Sequence, residues 1–177
     1  ELQTTGLENL AMARHEKLPV FTLDGHMFTI AAGSEIGDLR AAAPQAISYC
    51  AERMLEPPLG DYEGLPALRR FADEVGGWPE TTEDSRWCAR FNYQVIERRG
   101  TGGGNFRMMY ARFLEEVGRA ESALAVEASA RWTELAGALH AASGPEESDG
   151  ALWAAAGAAA APVLEAEERL WTDLAGG

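Results

Sequence analysis

Lysine is almost absent from this sequence, because Lys17 is the single lysine and arginine supplies nearly all the basic residues. The basic residues number 15 against 28 acidic ones, which gives a formal net charge of −13. A chain this acidic is not expected to bind nucleic acid, whose phosphates would repel it. Arginine is the better basic residue for bidentate binding of phosphate or carboxylate, although a GC-rich genome would produce the same bias.

Long apolar runs and cysteines are also scarce. No stretch reaches 18 apolar residues and no signal-peptide pattern is visible, so we expect no membrane span and no membrane partner. Cys50 and Cys88 are the two cysteines, and we expect both to be reduced, buried thiols in a cytoplasmic protein. Because His15, His26 and His140 have no second ligand at metal-binding spacing, no metal site is predicted.

The apolar pattern predicts a mainly α fold, a bundle of about six helices with one short β-hairpin near the N-terminus. The length of 177 residues suits a single helical domain over residues 1–177. Residues 20–31 are rich in β-forming residues around the turn Asp24-Gly25, which predicts the hairpin. A lone hairpin is marginal in water, so we expect it to pair with a domain that precedes Glu1.

Capping residues, glycines and prolines bound the predicted helices. Thr5 and Glu8 have the spacing of a capping box, and Pro162 is expected to kink the last helix. Thr81 or Thr82 is the predicted cap of the fourth helix, whose apolar stripe begins at Trp87. The helices are predicted from residue 5 to 17, from 38 or 44 to 56, from 65 to 75, from 82 to 99, from 105 to 142 in one or two pieces, and from 151 to 174.

The stretch "ERRGTGGGNFR", residues 97–107, is the least ordinary in the chain. It lies in segment 86–112, which has six arginines and one acidic residue, whereas segment 115–177 has 12 acidic and 3 basic residues. Glycine permits positive φ, and the amides at the start of the next helix attract anions. The stretch is neither a Walker A loop nor a dinucleotide fingerprint. It predicts either an anion-binding loop or a flexible joint between two helices.

The predicted contact region for an anionic ligand combines this loop with the basic and phenolic side chains beside it. Glu97 is expected to form a structural ion pair with neighbouring arginines, and Tyr110 either donates to the ligand or belongs to the core. No catalytic residue is predicted. The contact residues are Arg98, Arg99, Gly102, Gly103, Gly104, Asn105, Arg107 and Tyr110.

Five segments taken in order resemble the C-terminal domain of proteins related to butirosin biosynthesis protein H. They are "LENLAMAR", "MLEPPLG", "LRRFADEVGGWPE", "ERRGTGGGNFRMMYARFLEE" and "RWTELA", of which the glycine-containing one is the most specific. In that family the domain, of unknown function by itself, follows a papain-like N-terminal domain. The full-length prototype transfers an aminoacyl group from the phosphopantetheine arm of an acyl carrier protein to an aminoglycoside amine.

The resemblance implies the C-terminal part of a two-domain acyltransferase of antibiotic or other secondary-metabolite biosynthesis. The family's nucleophilic cysteine and its histidine belong to the papain-like domain, and nothing here matches their motif. The implied partners are that N-terminal domain and an acyl carrier protein. From the charge pattern we infer that the basic loop would contact either the phosphodiester of phosphopantetheine or the acidic carrier itself; no covalently bound cofactor is expected. Two alternatives remain open. The first is a structural domain without a ligand, which would form a homodimer through the last helix. The second is a part of a papain-like peptidase or amidase.

Overall fold

The computed structural model describes residues 4–15, 37–100, 102–145 and 148–176. The chain divides into two compact units, residues 1–37 and 38–177. Within the first unit the structure describes one helix, α1 (Leu7–Arg14). Gly6 is its N-cap, and Thr5 accepts a hydrogen bond from Asn9, so the predicted capping box does not form.

The described residues of the second unit form seven α-helices joined in part by three short 3-10 turns. The turns lie at Gly60–Tyr62, Val75–Gly77 and Gly104–Phe106. The helices are α2 (Leu39–Leu55), α3 (Gly64–Glu74), α4 (Trp78–Thr81), α5 (Ser85–Glu97), α6 (Arg107–Glu116), α7 (Ser122–Ala142) and α8 (Gly150–Gly176).

Aspartate side chains begin two of these helices. Asp38 accepts hydrogen bonds from the backbone amides of the second and third residues of α2, which confirms the predicted start near this residue. Asp84 accepts from the amide of Trp87 and caps α5. The predicted caps Thr81 and Thr82 instead end the short α4, so α5 begins later than its sequence pattern suggested.

Helices α7 and α8 form the centre of the second unit. Arg169, near the end of α8, pairs with Glu127, near the start of α7, so the two helices run antiparallel. Helices α5 and α6 pack against α7, while α2 and α3 pack against α8. Small buried side chains let the two central helices approach closely. These are Ala125, Ala128 and Ala136 on α7, and Ala156, Ala160 and Ala166 on α8.

The apolar face of α8 is buried inside the unit. Pro162 lies inside this helix and does not end it, since the helix spans 27 residues from Gly150 to Gly176. Because the unit's own helices already cover this face, a homodimer of the kind suggested by the sequence would need a different surface. The buried residues of this face with large side chains are Trp153, Val163, Glu167, Leu170, Trp171 and Leu174.

The sequence predicted a mainly helical chain, and the described residues are mainly helical. The β-hairpin in that prediction needs correction, because none of the described residues lies in a strand. Its residues, 20–31, fall outside the described parts of the chain. A hairpin requires a further strand or packing surface, and the described helices offer no strand edge. None of the described helices combines the length and apolarity needed to cross a bilayer.

Candidate ligand-binding site around the glycine-rich loop

The loop between α5 and α6 has backbone geometry that glycine favours. Gly100 and the glycines at 102–104 all have φ between 55° and 85°. Asn105 and Phe106 continue in the same region, with φ of 52° and 66°. A residue with a side chain loses about 1–2 kcal/mol there, and a bulky aromatic residue is rarely found in it. The surrounding structure must therefore hold Phe106 in place.

Gly104 is buried against α7. A Cβ atom at this position would stand 2.0 Å from Oγ of Ser129 and 2.8 Å from its carbonyl oxygen. The contact with Ser129 leaves no space for a side chain, and the φ of 55° at Gly104 disfavours one as well. This glycine is therefore explained by the close approach of the loop to α7.

The loop is held by an internal carboxylate. The backbone N–H of Gly104 donates to Oε1 of Glu97 at 3.1 Å, and the hydroxyl of Thr133 donates to the same oxygen at 2.8 Å. Glu97 therefore joins the end of α5 to the loop and to α7. It forms no salt bridge among the described residues, so its main role is to accept these two hydrogen bonds, although its charge also contributes to the raised pKa of Arg98. The backbone amide of Gly104 therefore already donates to a carboxylate of the protein and is not available to an external anion.

Arg98 and Arg99 lie exposed at the end of α5. Nε of Arg98 donates to the hydroxyl of Tyr93 at 3.1 Å, and this hydrogen bond is the main cause of a raised Arg98 pKa. Arg99 donates through Nε and Nη2 to the side-chain oxygen of Gln94 at 3.2 and 2.7 Å, and its guanidinium lies over the ring of Phe91. Both hydrogen-bond acceptors are uncharged, so neither guanidinium forms a salt bridge among the described residues, although the charge of Glu97 also contributes to the raised pKa of Arg98.

Arg107 begins α6 and points into the protein. Its Nε and Nη2 donate to Oε1 and Oε2 of Glu167 at 2.6 and 2.9 Å. Glu167 is fully buried and also accepts from the indole N–H groups of Trp132 and Trp171, each at 2.6 Å. Four donors therefore satisfy one buried carboxylate. The cluster ties the start of α6 to α7 and α8.

A groove of about 490 Å³, which we call the α2–α6 groove, lies beside the end of the loop. Its walls are mostly apolar. Arg53 and Arg107 also line it, and no acidic residue does so among the described residues. The apolar lining residues include Tyr49, Met54, Phe106, Met109, Phe113 and Trp171.

Tyr110 lies in the wall of the α2–α6 groove, between Phe113 and Trp171. Its hydroxyl is buried and has no hydrogen-bond partner among the described residues. Burial raises the pKa of Tyr110 to about 12, so the phenol remains protonated at neutral pH. The residue is therefore a neutral group with an unused donor just behind the groove surface.

A second cavity of about 350 Å³ adjoins the first. Asn105, Phe71 and Trp132 are among its lining residues. Met54 and Arg107 line both this cavity and the α2–α6 groove. Asn105 and Phe106, the two non-glycine residues of the loop at positive φ, therefore line different cavities.

The structure separates the predicted contact residues into two groups. Arg98, Arg99 and Gly102 are exposed on the outer part of the loop, and Gly103 is half-buried beside Glu97. The inner part of the loop contacts α7 through its buried glycine, and the residues after it line the two cavities. The inner group consists of Gly104, Asn105, Arg107 and Tyr110.

Sequence reasoning missed Glu167 and Thr133, which hold the loop and the start of α6. A signal for Glu167 was present, because it lies four residues after Val163 and four before Trp171 on the apolar stripe of α8. A charged residue on such a stripe indicates a buried partner. No comparable signal marks Thr133, whose side chain is exposed apart from its contact with Glu97.

The cysteines were predicted to be buried, but the structure leaves Cys50 and Cys88 half-buried. Cys50 lines the α2–α6 groove. Within the described residues no hydrogen bond joins either cysteine to a histidine, and His140 packs against the ring of Tyr93. The described part of the chain also contains no group of three or more His, Cys, Asp or Glu side chains that would hold a metal ion.

Comparison with known proteins places nearly the whole chain in one family. The family model described as Domain of unknown function (DUF4872) matches residues 8–174, a range that includes the glycine-rich loop, the Glu167 cluster and the α2–α6 groove. No curated protein and no solved structure matches the chain. The chain therefore belongs to the DUF4872 family of domains of unknown function.

Proposed function

We propose that this chain is the non-catalytic C-terminal domain of an acyltransferase similar to butirosin biosynthesis protein H. In this proposal its exposed arginine pair, Arg98 and Arg99, receives an acyl carrier protein. The observation that carries it is the pairing of both guanidinium groups with the neutral acceptors Tyr93 and Gln94. The resemblance of the five sequence segments to that family supplies the reaction class.

Among the described residues, Arg98 and Arg99 form no salt bridge, and this distinguishes them from the other adjacent arginines, Arg69 and Arg70. Arg69 and Arg70 are also exposed and adjacent, but they pair with Glu168 and Glu74. A carrier protein is acidic, and the phosphopantetheine arm contains a phosphodiester. Arginine binds phosphate and carboxylate in bidentate geometry, and a preordered side chain loses less entropy on binding. A preordered arginine pair whose hydrogen-bond acceptors are neutral therefore suits either contact.

The chemistry of acyl transfer would belong to a papain-like N-terminal domain. In this chain the arrangement supplies charge, hydrogen-bond donors and an apolar groove, and no hydrogen bond joins a histidine to a cysteine within the described residues. The proposed role is therefore to position a carrier and its acyl group beside a nucleophile that the N-terminal domain would supply.

The test compares two double variants of the chain, Arg98→Ala with Arg99→Ala, and Arg69→Ala with Arg70→Ala. Binding of an acyl carrier protein bearing phosphopantetheine is measured by calorimetry at low ionic strength and again at high salt. We expect the first variant to bind at least about tenfold more weakly and to lose most of the salt dependence. The second, matched for charge and exposure, should bind within about twofold of the unchanged chain. Equal affinity of both variants would refute the proposed carrier surface.

A further inference from the structure

Large apolar side chains converge on the rim of the α2–α6 groove. Tyr49, Phe106 and Met109 all line it, and they are 60%, 42% and 58% exposed. Met54, Phe113 and Trp171 form deeper parts of its walls. Exposed apolar side chains are common singly, but a group gathered around one concave surface marks a place where something binds.

The charged side chains that line this groove are basic although the chain is acidic, and each of them also contacts a carboxylate outside the lining. The net charge of the chain is −13, yet the charged residues that line the groove are Arg53 and Arg107, with no acidic residue among the described lining. Arg107 uses Nε and Nη2 for Glu167, and its Nη1 has no hydrogen-bond partner among the described residues. Arg53 is exposed and contacts Glu63 through Nη2 at 3.3 Å.

We propose that the α2–α6 groove binds a small amphipathic carboxylate, a molecule with an apolar body and one anionic end. The apolar body would lie against Met54, Phe113 and Trp171, and the carboxylate would lie towards Arg53 and Arg107. Arginine is well suited to bind a carboxylate, and methionine side chains adapt to apolar ligands of different shape. The volume of about 490 Å³ is in the range of small-molecule sites.

The backbone at Phe106 supports this assignment. Its φ of 66° is unfavourable for an aromatic residue, and yet this conformation places the ring at the groove rim. Strained backbone persists where the surrounding structure requires it, and such positions are concentrated at binding sites. The groove is separate from the arginine pair at residues 98 and 99, so this site does not depend on carrier binding.

The first experiment titrates the chain with three ligands that share one apolar body and differ in charge. These are decanoate, 1-decanol and decyltrimethylammonium, each used below its aggregation limit and followed by calorimetry. We expect one saturable site for decanoate, at least about tenfold weaker binding of the alcohol, and no measurable binding of the cation. Equal binding of the acid and the alcohol would overturn the electrostatic part of the proposal, and the absence of saturable decanoate binding would overturn all of it.

Three single variants locate the site. Met109→Glu places a carboxylate on the groove rim, and Val126→Glu places one at a similarly exposed apolar position of α7 outside the groove. We expect the first to weaken decanoate binding about tenfold or more and the second to leave it within about twofold. Arg53→Gln should weaken decanoate binding while leaving the weak binding of the alcohol unchanged. Equal effects of Met109→Glu and Val126→Glu would place the ligand elsewhere.

The competing occupant is a second copy of the chain. Sedimentation of the unchanged chain and of Met109→Glu, with and without decanoate, separates the two cases. The proposal expects the same mass for all samples. A dimer that dissociates on Met109→Glu substitution or on addition of decanoate would assign the groove to self-association and overturn the small-molecule proposal.

Discussion

The guanidinium of Arg107 and the carboxylate of Glu167 form a side-on pair across 60 residues of sequence, with Nε and Nη2 donating to Oε1 and Oε2. Glu167 is fully buried, and the Arg107 side chain is 14% exposed. Two tryptophan N–H groups complete the coordination of the carboxylate. Burying two charges is costly, but once both are buried the loss of either one leaves the other without compensation.

Replacing Glu167 with Gln should therefore destabilise the chain strongly. The neutral amide leaves the Arg107 cation without a counter-charge, and we expect a loss of about 3 kcal/mol in the free energy of unfolding. Urea unfolding followed by circular dichroism measures it. The neighbouring Glu168 pairs with Arg69 at the surface, so Glu168→Gln should cost less than about 0.5 kcal/mol. A similar cost for the two variants would contradict the role given to Glu167.

The glycine-rich loop should tolerate a side chain at Gly102 better than at Gly104. Both have positive φ, but a Cβ at Gly102 meets nothing within 4 Å, whereas at Gly104 it would collide with Ser129. We expect Gly102→Ala to cost about 1 kcal/mol from backbone strain, and Gly104→Ala about 3 kcal/mol because overpacking adds to that strain. Thermal unfolding of the two variants tests this, and equal melting temperatures would contradict the packing of the loop on α7.

Replacing Tyr110 with Phe should stabilise the chain. The Tyr110 hydroxyl is buried without a partner among the described residues, and removing it relieves a desolvation penalty of about 1 kcal/mol. Denaturant unfolding measures the change, with Tyr49→Phe as the control because Tyr49 is exposed. A loss of stability in Tyr110→Phe would show that the hydroxyl has a partner in solution.

Tyr110 should also make the folded state sensitive to alkali. Its folded pKa is raised from 10.0 to about 12, so the folded state retains the phenolic proton after the unfolded chain has lost it. The contribution of this group to stability is full below pH 10 and is lost as the pH rises from 10 towards 12. We expect the unfolding free energy of Tyr110→Phe to fall less steeply over this interval. Parallel curves for the two proteins would contradict the burial of the phenol.

Glu97 and Thr133 should contribute to stability as a coupled pair. Both the Gly104 amide and the Thr133 hydroxyl donate to the same oxygen of Glu97. In a double-mutant cycle with Glu97→Ala and Thr133→Val, we expect a coupling energy of about 1 kcal/mol. Thr133→Ser retains the hydroxyl and is the control. Additive effects of the two substitutions would show that this hydrogen bond does not stabilise the loop.

Local signals account for the parts of the fold that the sequence predicted well. The Asp38 side chain caps α2 by accepting hydrogen bonds from backbone amides two and three residues later. The glycine-rich loop separates α5 from α6 because glycine adopts positive φ. The long segment predicted from 105 to 142 divides into α6 and α7 beside Gly118, which also has positive φ. Such features are determined by neighbours in the sequence.

Long-range contacts account for most of what the sequence did not predict. Trp87 has the spacing of an apolar stripe, but it is 58% exposed and stacks on Phe91, because none of the described helices covers that end of the stripe. Arg107 belongs to the basic segment, yet its partner Glu167 lies on α8. Spacing shows which residues share a helix face, but it does not show which distant side chain meets them.

Met54 and Arg107 line both the α2–α6 groove and the second cavity, so these two side chains lie where spaces of about 490 and 350 Å³ adjoin. Arg107 is fixed by Glu167, but Met54 has an unbranched side chain with three rotatable bonds. A change of rotamer at Met54 would join the two spaces without disturbing the buried ion pair. The interior could then hold a longer chain than the groove alone, and the length limit for a ligand would depend on the single side chain at position 54.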